Sequence, residues 1–254
     1  MNHPVRLKAE KLIRAGDIVG AEHALASLVE TEGDDSLVVV LDDFPAKDLL
    51  AVLRDFDSSR ESVVSLLVSR EQFARAIVLE TRYGDPSHER LRGMINAVIF
   101  RAGSDPSEFL EAIGNLDGGC DAFADYLCDR GESLEHFFRN GTFDLFDEGG
   151  GDALAGLTDA ERLDALSDPD TNRPVLNHSE VNDHDWMELV WLLRYQQPEV
   201  FRDVLLILRA RASAESAQQA AADGRPAEAQ RPSGEPEEVR RAGKECRSRW
   251  SPYQ

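Results

Sequence analysis

Apolar residues recur along the chain with the spacing of amphipathic helices. In the segment 45–56 the large apolar residues are Leu49, Leu50, Val52, Leu53 and Phe56. Their positions i, i+1, i+3, i+4 and i+7 lie on one face of a helix with 3.6 residues per turn. Applying this criterion to the whole chain, we predict helices over residues 4–15, 17–32, 36–42, 45–56, 59–68, 69–83, 86–102, 106–114, 118–130, 132–139, 158–167, 180–197 and 198–212.

Short apolar runs such as Leu37–Leu41 also suit the buried strands of a parallel sheet, but the spacing of the runs argues against a sheet. Only the eight residues Ser69–Ala76 separate Val68 from the apolar run that begins at Ile77. A crossover between parallel strands needs about a dozen or more residues. The sequence therefore predicts helices in this region.

Capping residues mark the predicted helix ends. The capping-box pattern, in which a hydroxyl and a Glu or Gln three residues later satisfy backbone donors, occurs at Ser58–Glu61, Ser69–Gln72 and Thr158–Glu161. Prolines at predicted helix starts are Pro45, Pro86, Pro106 and Pro198. Asp85 and Asp105 are placed to cap the helices that follow them. Glycines predicted to close helices in the left-handed conformation are Gly16, Gly33, Gly84, Gly103 and Gly114.

The predicted helices are short and follow one another at similar spacing, which indicates a helical repeat. The leading apolar residues of successive helices, Leu37, Leu49, Val63 and Phe73, advance by 12, 14 and 10 residues. Helices of this length are not stable alone, so they must pack on their neighbours, as in an α-solenoid. We expect an all-α fold: a short-helix superhelix (α-solenoid-like), a C-terminal helical hairpin and a disordered tail.

Composition indicates where the domains begin and end. Residues 1–139 form the predicted helical-repeat domain, and residues 158–212 form a C-terminal helical unit. Between them, residues 140–157 are rich in glycine and are predicted to be a linker or hinge. Residues 213–254 contain hardly any large apolar side chain. Burial cannot offset the ordering entropy of such a segment, which predicts a disordered tail.

Three segments resemble known helical proteins. Lys11–Asp17 and the helix after it resemble the junction between helices of tetratricopeptide-type repeats. The stretch Asp34–Thr81, with Phe44–Leu50 at its centre, is similar to the short-helix superhelix of the cytosolic N-domain of MgtE-type magnesium transporters. Residues Phe44–Asp105 are similar in rhythm to an uncharacterised bacterial family of helical-repeat proteins. The resemblance to MgtE-type N-domains implies a superhelical regulatory domain but not transport. Neither this resemblance nor the one to the uncharacterised family implies a catalytic residue.

The charge of the chain restricts its partners. With 28 Lys and Arg against 48 Asp and Glu, the net charge is −20. Nucleic-acid binding is not expected, because each phosphate contact needs a basic side chain. An acidic surface attracts cations or a basic protein, although it also serves solubility alone. The three cysteines lack the spacing of a disulfide framework or a zinc site, which predicts a cytoplasmic protein. No apolar run is long enough to span a membrane, so direct membrane insertion is not expected.

Two groups of residues have the donor atoms of a metal site. Asp168, Asp170 and Asn172 alternate like the first ligands of a calcium loop, but arginine occupies the position where an EF-hand needs glycine. His184 and Glu188 are spaced i, i+4 on one face of a predicted helix. No third ligand at a fixed spacing completes this second set. We therefore interpret both groups as turn, capping and surface residues, and we predict no metal and no cofactor.

No catalytic motif is found in the sequence. Cys120 and Cys128 are eight residues apart on a predicted helix, without a histidine at activating spacing, which predicts a buried structural pair rather than a nucleophile. The chain contains no G-x-S-x-G motif, no P-loop and no dinucleotide-binding glycine pattern. The sequence therefore predicts no catalytic residue and no enzyme activity.

Trp186 and Trp191 belong to the most apolar stretch of the chain. Two interpretations are open. In the first, these residues form the core of a helical hairpin. In the second, one tryptophan remains exposed as an interface anchor, because tryptophan is enriched in interface hot spots. The basic residues of the tail, with Trp250, are a further docking candidate.

The function expected from these patterns is that of a non-enzymatic cytoplasmic scaffold or regulatory protein. Its acidic helical-repeat surface would bind another protein, such as one with a basic helix or peptide. Two alternatives stay open. The first is a divalent-cation-responsive regulatory domain that uses acidic clusters such as Asp42, Asp43, Asp168 and Asp170. The second is an enzyme whose site is assembled from residues far apart in sequence, around His184 and Glu188.

Overall fold

The computed structural model describes residues 3–54, 62–84, 87–101, 105–143, 158–165 and 186–222. All regular secondary structure in these residues is helical, which confirms the predicted all-α class. The helices are α1 (Pro4–Arg14), α2 (Ile18–Glu32), α3 (Asp34–Asp42), α4 (Ala46–Arg54), α5 (Val63–Leu67), α6 (Arg70–Tyr83), α7 (Glu89–Ile99), α8 (Pro106–Gly114), α9 (Gly119–Tyr126), α10 (Gly131–Asn140), α11 (Asp159–Ala165), α12 (Trp186–Gln196) and α13 (Pro198–Ala222).

Proline and aspartate define several helix starts, as predicted. α8 and α13 begin at Pro106 and Pro198, and α4 begins immediately after Pro45. The Asp105 carboxylate accepts a hydrogen bond from the Ser107 N–H at 2.9 Å and so caps α8. This bond satisfies one of the donors that a helix start leaves without an intrahelical partner. The predicted boundary residues Ser58–Glu61, Asp85, Pro86 and Gly103 lie outside the described residues.

The capping box predicted at the start of α11 is confirmed. The Thr158 N–H donates to the Glu161 carboxylate at 2.8 Å, and the Glu161 N–H donates to the Thr158 hydroxyl oxygen at 3.4 Å. The hydrogen bonds that Thr158 donates, from its side chain and its backbone, hold the pKa of the Glu161 carboxyl below its usual value. The two residues satisfy each other's backbone donors, as the pattern requires.

The capping box predicted at Ser69 is wrong, although α6 does begin there. The Ser69 side chain makes no capping hydrogen bond. Gln72 instead reaches another helix end, where its side-chain amide donates to the carbonyl oxygens of Asp42 and Phe44. Carbonyl groups at the end of a helix lack intrahelical partners. A contact between α6 and the end of α3 has therefore replaced the local cap.

Three of the glycines predicted to be αL caps are not. Gly16 and Gly33 have positive φ values of 80° and 87°, but the ψ of 171° at Gly33 lies outside the αL region. Gly84 has a φ of −83°. Gly114 is the last residue of α8 and is not among the described residues with positive φ. A Cβ at Gly114 would lie 2.4 Å from the Val200 side chain. The close approach of α13, rather than a turn, therefore requires a glycine at this position.

The last helix is longer than predicted. The sequence pattern ends it at residue 212 and assigns residue 213 to a disordered tail, but α13 continues to Ala222. Residues 213–222 are mostly alanine, glutamine and glutamate. Alanine, glutamine and glutamate are strong helix formers, and residues 213–219 and 221 are exposed, so helix propensity accounts for this extension without apolar burial. Residues 223–254 lie outside the described part of the chain.

Alternate helices pack side by side. α4 contacts α2 and α6, and α6 contacts α8, while α3, α5 and α7 form a second series of neighbours. Farther along the chain, α8 also contacts α12. α6 and α8 run parallel, because Arg70 pairs with Glu108 at their starts and Arg82 pairs with Asp117 near their ends. Contacts of this kind, between a helix and the next but one, are expected in a solenoid. The superhelical arrangement itself stays a prediction.

One hydrophobic core extends through the described helices, from Ala9 in α1 to Leu205 in α13. Its fully buried aromatic side chains are Phe73, Phe123, Phe137, Phe138 and Phe201. The chain divides into two compact units, residues 1–213 and residues 214–254. Helices on both sides of the predicted linker contribute to the core of the first unit. Residues 144–157 of that linker are not described, so its role as a hinge stays a prediction.

Candidate functional site

The residues with metal-ligand character lie mostly outside the described part of the chain. Asp168, Asp170, Asn172 and His184 are not described, and Glu188 is a half-buried residue of α12. Among the residues that the structure describes, no group of three or more His, Cys, Asp or Glu side chains is suited to hold a metal ion. The metal-site candidates of the sequence therefore stay predictions.

Both tryptophans of α12 are half-buried and packed against other aromatic or cationic groups. The Trp186 ring lies edge-on to Phe143 with 5.4 Å between centroids, and the Arg130 guanidinium lies 5.2 Å from its centre. The Trp191 ring lies 5.1 Å from that of Tyr195. Such contacts suit core packing, and the interface role of either tryptophan stays a prediction.

The two described cysteines are not a buried pair. Cys120 is half-buried in α9, whereas Cys128 is exposed, because α9 ends at Tyr126 and the chain turns before residue 128 is reached. Burial is the main reason that the pKa of the Cys120 thiol is raised, and the nearby carboxylates of Asp203 and Asp121 raise it further. A thiol with a raised pKa is a poor nucleophile at neutral pH, so the surroundings of Cys120 do not favour a nucleophilic role.

Arg194 of α12 is a buried charged side chain and therefore needs an explanation. Its guanidinium donates a hydrogen bond to the carbonyl oxygen of Phe137. It also lies over the rings of Phe137 and Tyr195, at 4.8 Å and 5.1 Å from their centres. Hydrogen bonding and cation–π contacts compensate part of the cost of burying a charge. Arg194 thus joins α12 to α10 within the core.

Among the residues that the structure describes, two surface grooves are considered as candidates for ligand binding. The larger, of about 560 Å³, lies between α6 and α8 and is lined by Arg70, Glu71, Ala74, Arg75, Glu108, Glu111, Ala112, Asn115 and Leu116. Its charges largely pair with one another. Arg70 binds the carboxylates of both Glu71 and Glu108, and the hydrogen bond from Arg70 lowers the pKa of Glu71. This groove therefore offers a ligand little unbalanced charge.

The second groove, which we name the acidic groove, is smaller and different in character. It has a volume of about 300 Å³ and lies beside α3, with lining residues His3, Glu32, Asp35, Ser36, Val39, Val40 and Asp43. The volume is at the lower end of the range for small-molecule pockets, roughly 300–1,000 Å³. It suits a single anchoring side chain better than a large cofactor.

Two valines form the apolar floor of the acidic groove. Val40 is 2% exposed and belongs to the core, but Val39 is 65% exposed. The five-residue apolar run Leu37–Leu41 spreads around the helix, because successive residues of an α-helix differ by about 100°. Leu37, Val40 and Leu41 take the buried side. The helix geometry therefore leaves Val39 facing the groove.

Carboxylates surround this floor. A carboxylate oxygen of Glu32 lies 3.6 Å from the imidazole Nε2 of His3, and one of Asp43 lies 3.7 Å from the Arg6 guanidinium. The Asp35 carboxylate makes no hydrogen bond or ion pair with any residue that the structure describes. Exposed ion pairs contribute only about 0–1 kcal/mol each. Glu32 and Asp35 thus remain available to a basic ligand.

The tight junction between α2 and α3 shapes the groove. Gly33 ends α2 and starts α3 with φ 87° and ψ 171°, a conformation that is essentially restricted to glycine. Its N–H donates to the Val29 carbonyl oxygen at 2.9 Å. Across the junction, the Ser36 hydroxyl donates to the Glu32 carbonyl oxygen at 3.2 Å. This junction places Glu32, the last residue of α2, beside the first turn of α3.

Asp42 and Asp43 are recognisable from the sequence as an acidic cluster, but the groove is not. The signal was present, because α3 has the acidic pair Asp34–Asp35 on one side of its apolar run and the pair Asp42–Asp43 on the other. The packing of α1, α2 and α3 determines which apolar residue of α3 stays exposed. It also brings Glu32 of α2 to the groove. Packing of this kind is not visible in a local pattern.

Within the described residues, no helix is both long enough and apolar enough to span a membrane. Comparison with known proteins identifies no relative: no protein-family model matches this chain, and no curated protein or solved structure is detectably similar to it. The resemblances to MgtE-type N-domains and to helical-repeat proteins therefore stay expectations, and a function must be argued from the acidic groove.

Proposed function

We propose that this chain is a non-enzymatic cytoplasmic scaffold or regulatory protein that binds a basic segment of another protein in the acidic groove. The observation that supports this proposal is the arrangement of an exposed valine, Val39, among the carboxylates of Glu32, Asp35 and Asp43. A partner that covers the valine gains from apolar burial. Basic side chains on the same partner gain from the surrounding negative charge.

The net charge of −20 supports the same proposal. A basic partner is attracted over a distance comparable to the Debye length, about 10 Å at 0.1 M salt, before it makes contact. Its association is therefore faster at low ionic strength. The groove then determines where the partner is held, because it adds an apolar contact that most of an acidic surface does not offer.

The alternatives from the sequence gain less support. A divalent-cation-responsive domain needs a cluster of ligands, and no such cluster occurs among the residues that the structure describes. An enzyme needs activated groups in a shared cavity. Of the acidic-groove residues, neither His3 nor Ser36 is placed against a nucleophile–base partner: the imidazole faces Glu32, and the Ser36 hydroxyl donates to a backbone carbonyl.

The proposed function is tested by binding of a labelled basic peptide to the full chain. The probe is a fluorescein-labelled amphipathic helix of lysine, leucine and alanine, followed by fluorescence anisotropy at low and moderate salt. We expect saturable binding that weakens as salt rises. The triple variant Glu32→Gln, Asp35→Asn, Asp43→Asn should bind about tenfold more weakly, since three contacts of roughly 0.5 kcal/mol together approach the 1.4 kcal/mol of a tenfold change.

A matched control separates the groove from the overall charge. Glu89, Glu111 and Glu132 are exposed and lie on α7, α8 and α10, so converting all three to glutamine removes the same charge elsewhere. This control variant should bind the peptide as the unmodified chain does. Equal weakening in both triple variants, or no binding to the unmodified chain, would overturn the proposed function.

A further inference from the structure

We propose that the acidic groove receives a helix in which one aliphatic side chain is flanked, four residues before and four residues after, by lysine or arginine. This inference rests on the proposed function and specifies the partner. It depends on the spacing of charge and apolar surface along α3, on the size of the groove and on the backbone requirements of the bound segment.

The spacing of the groove residues sets the spacing of the partner. Asp35, Val39 and Asp43 follow one another at intervals of four residues, and all three line the groove. Four residues of helix rise about 6 Å. The apolar contact is therefore centred between two carboxylates about 6 Å away along the axis, with Glu32 adding a third beyond the helix start.

A partner helix that lies along α3 meets these groups with the same periodicity. Its residues at i−4, i and i+4 are also about 6 Å apart along the axis and point to one side. An aliphatic residue at i contacts Val39, and a basic residue at i−4 approaches Asp35. A basic residue at i+4 approaches Asp43, whose carboxylate also pairs with Arg6 and can accept from more than one donor. The volume of about 300 Å³ accommodates one such anchor.

Both parts of the pattern are needed. A basic segment without the aliphatic residue leaves Val39 in water and gains only weak, salt-screened contacts. An apolar segment without basic residues would cover carboxylates such as Asp35 without giving them a partner, which costs free energy. The combination of one anchor with flanking cations is what distinguishes the preferred partner from other basic peptides.

A helical partner fits better than an extended one. The residues that the structure describes contain no strand, so an extended segment finds no sheet edge on which to pair its backbone. A helix satisfies its own backbone hydrogen bonds and presents only side chains to a groove. The acidic groove, which lies beside a helix, therefore suits helix-in-groove recognition.

The test compares three labelled alanine-rich helical peptides of equal length and charge. The first contains Lys-Ala-Ala-Ala-Leu-Ala-Ala-Ala-Lys. In the second, serine replaces the leucine. In the third, the leucine is moved two positions, to the other side of the helix. Binding to the full chain is measured by fluorescence anisotropy. We expect the first peptide to bind about tenfold or more tightly than the other two, because only it buries a leucine against Val39.

Protein variants identify the contact. In Val39→Ser, the leucine and serine peptides should bind with similar affinity. Val19→Ser is the matched control, because Val19 is a similarly exposed valine, 71% against 65%, on α2 and not among the residues that line the groove. This control should keep the preference for leucine. Both sites are exposed, so the two variants should keep the melting temperature of the unmodified chain.

The outcomes separate this inference from the proposed function. If the three peptides bind the unmodified chain equally, and only the acidic-groove triple variant weakens them, the anchor-and-flank pattern is wrong and the proposed function stands. A leucine preference that persists in Val39→Ser also overturns the inference. If none of the peptides binds, the proposed function itself is wrong.

Discussion

Replacing Phe73 with alanine is expected to lower the free energy of unfolding by about 3–5 kcal/mol. Phe73 is fully buried and lies in α6, which contacts α4, α7, α8 and α9. Its ring meets that of Phe109 in α8 edge-on, with 5.8 Å between centroids and 73° between planes. Removing the ring leaves a cavity among helices and also removes this aromatic contact. Urea denaturation followed by circular dichroism at 222 nm measures the change.

The matched control for Phe73 is Tyr83, at the other end of the same helix. Tyr83 is 75% exposed, so Tyr83→Ala should change the free energy of unfolding by less than about 0.5 kcal/mol. If Phe73→Ala destabilises the protein no more than Tyr83→Ala does, α6 is not packed between α4 and α8 as described. The described packing of alternate helices would then be wrong at its centre.

Gly33→Ala is expected to lower the free energy of unfolding by about 1–3 kcal/mol. The space around Gly33 is open, because a Cβ there would have no atom within 4 Å. The cost arises from the backbone, since φ 87° with ψ 171° disfavours any residue with a Cβ. Thermal unfolding by calorimetry measures the effect. The variant also tests the groove, because Gly33 forms the junction that places Glu32 beside α3.

Gly93→Ala is the control of opposite sign. Gly93 is exposed in the interior of α7, and a Cβ there would also have no atom within 4 Å. Because its φ is not positive, alanine should stabilise the helix by roughly 0.5–1 kcal/mol. If both alanine variants change stability in the same direction, the conformation assigned to the junction between α2 and α3 is wrong.

Much of the fold could be predicted because it depends on local chemistry. The apolar spacing in 45–56 and the prolines at residues 106 and 198 correctly located α4, α8 and α13. The capping box at Thr158 was correct because both of its members belong to the same turn of chain. Helix starts of this kind require no knowledge of distant residues.

The errors occurred where another helix decides the outcome. Gln72 has the sequence position of a capping residue, but it donates to carbonyls at the end of α3. Gly114 has the position of a left-handed cap, but its small size serves the approach of Val200. In both cases a partner distant in sequence overrides the local signal. A single sequence shows the residue but not the partner.

The candidate site was harder to predict than the fold for the same reason. Asp42 and Asp43 were recognised as an acidic cluster, yet a cluster alone does not make a site. The acidic groove differs from a simple acidic cluster because Val39 contributes to its apolar floor. The sequence alone does not show that Val39 is exposed and its neighbour Val40 is buried. The 65% exposure of Val39 is a consequence of how α3 packs. The sequence shows an acidic protein, and the packing of α3 shows which apolar residue lies among the carboxylates.

Hydrogen–deuterium exchange of the full chain, with and without the lysine-flanked leucine peptide, shows directly whether the acidic groove binds the peptide. We expect the peptide to slow exchange in segment 32–43 and in the start of α1 near His3. Exchange in segments 70–75 and 108–116, beside the groove of α6 and α8, should stay unchanged. Protection that falls on α6 and α8, or that is spread evenly over the acidic surface, would contradict the assignment of the acidic groove as the binding site.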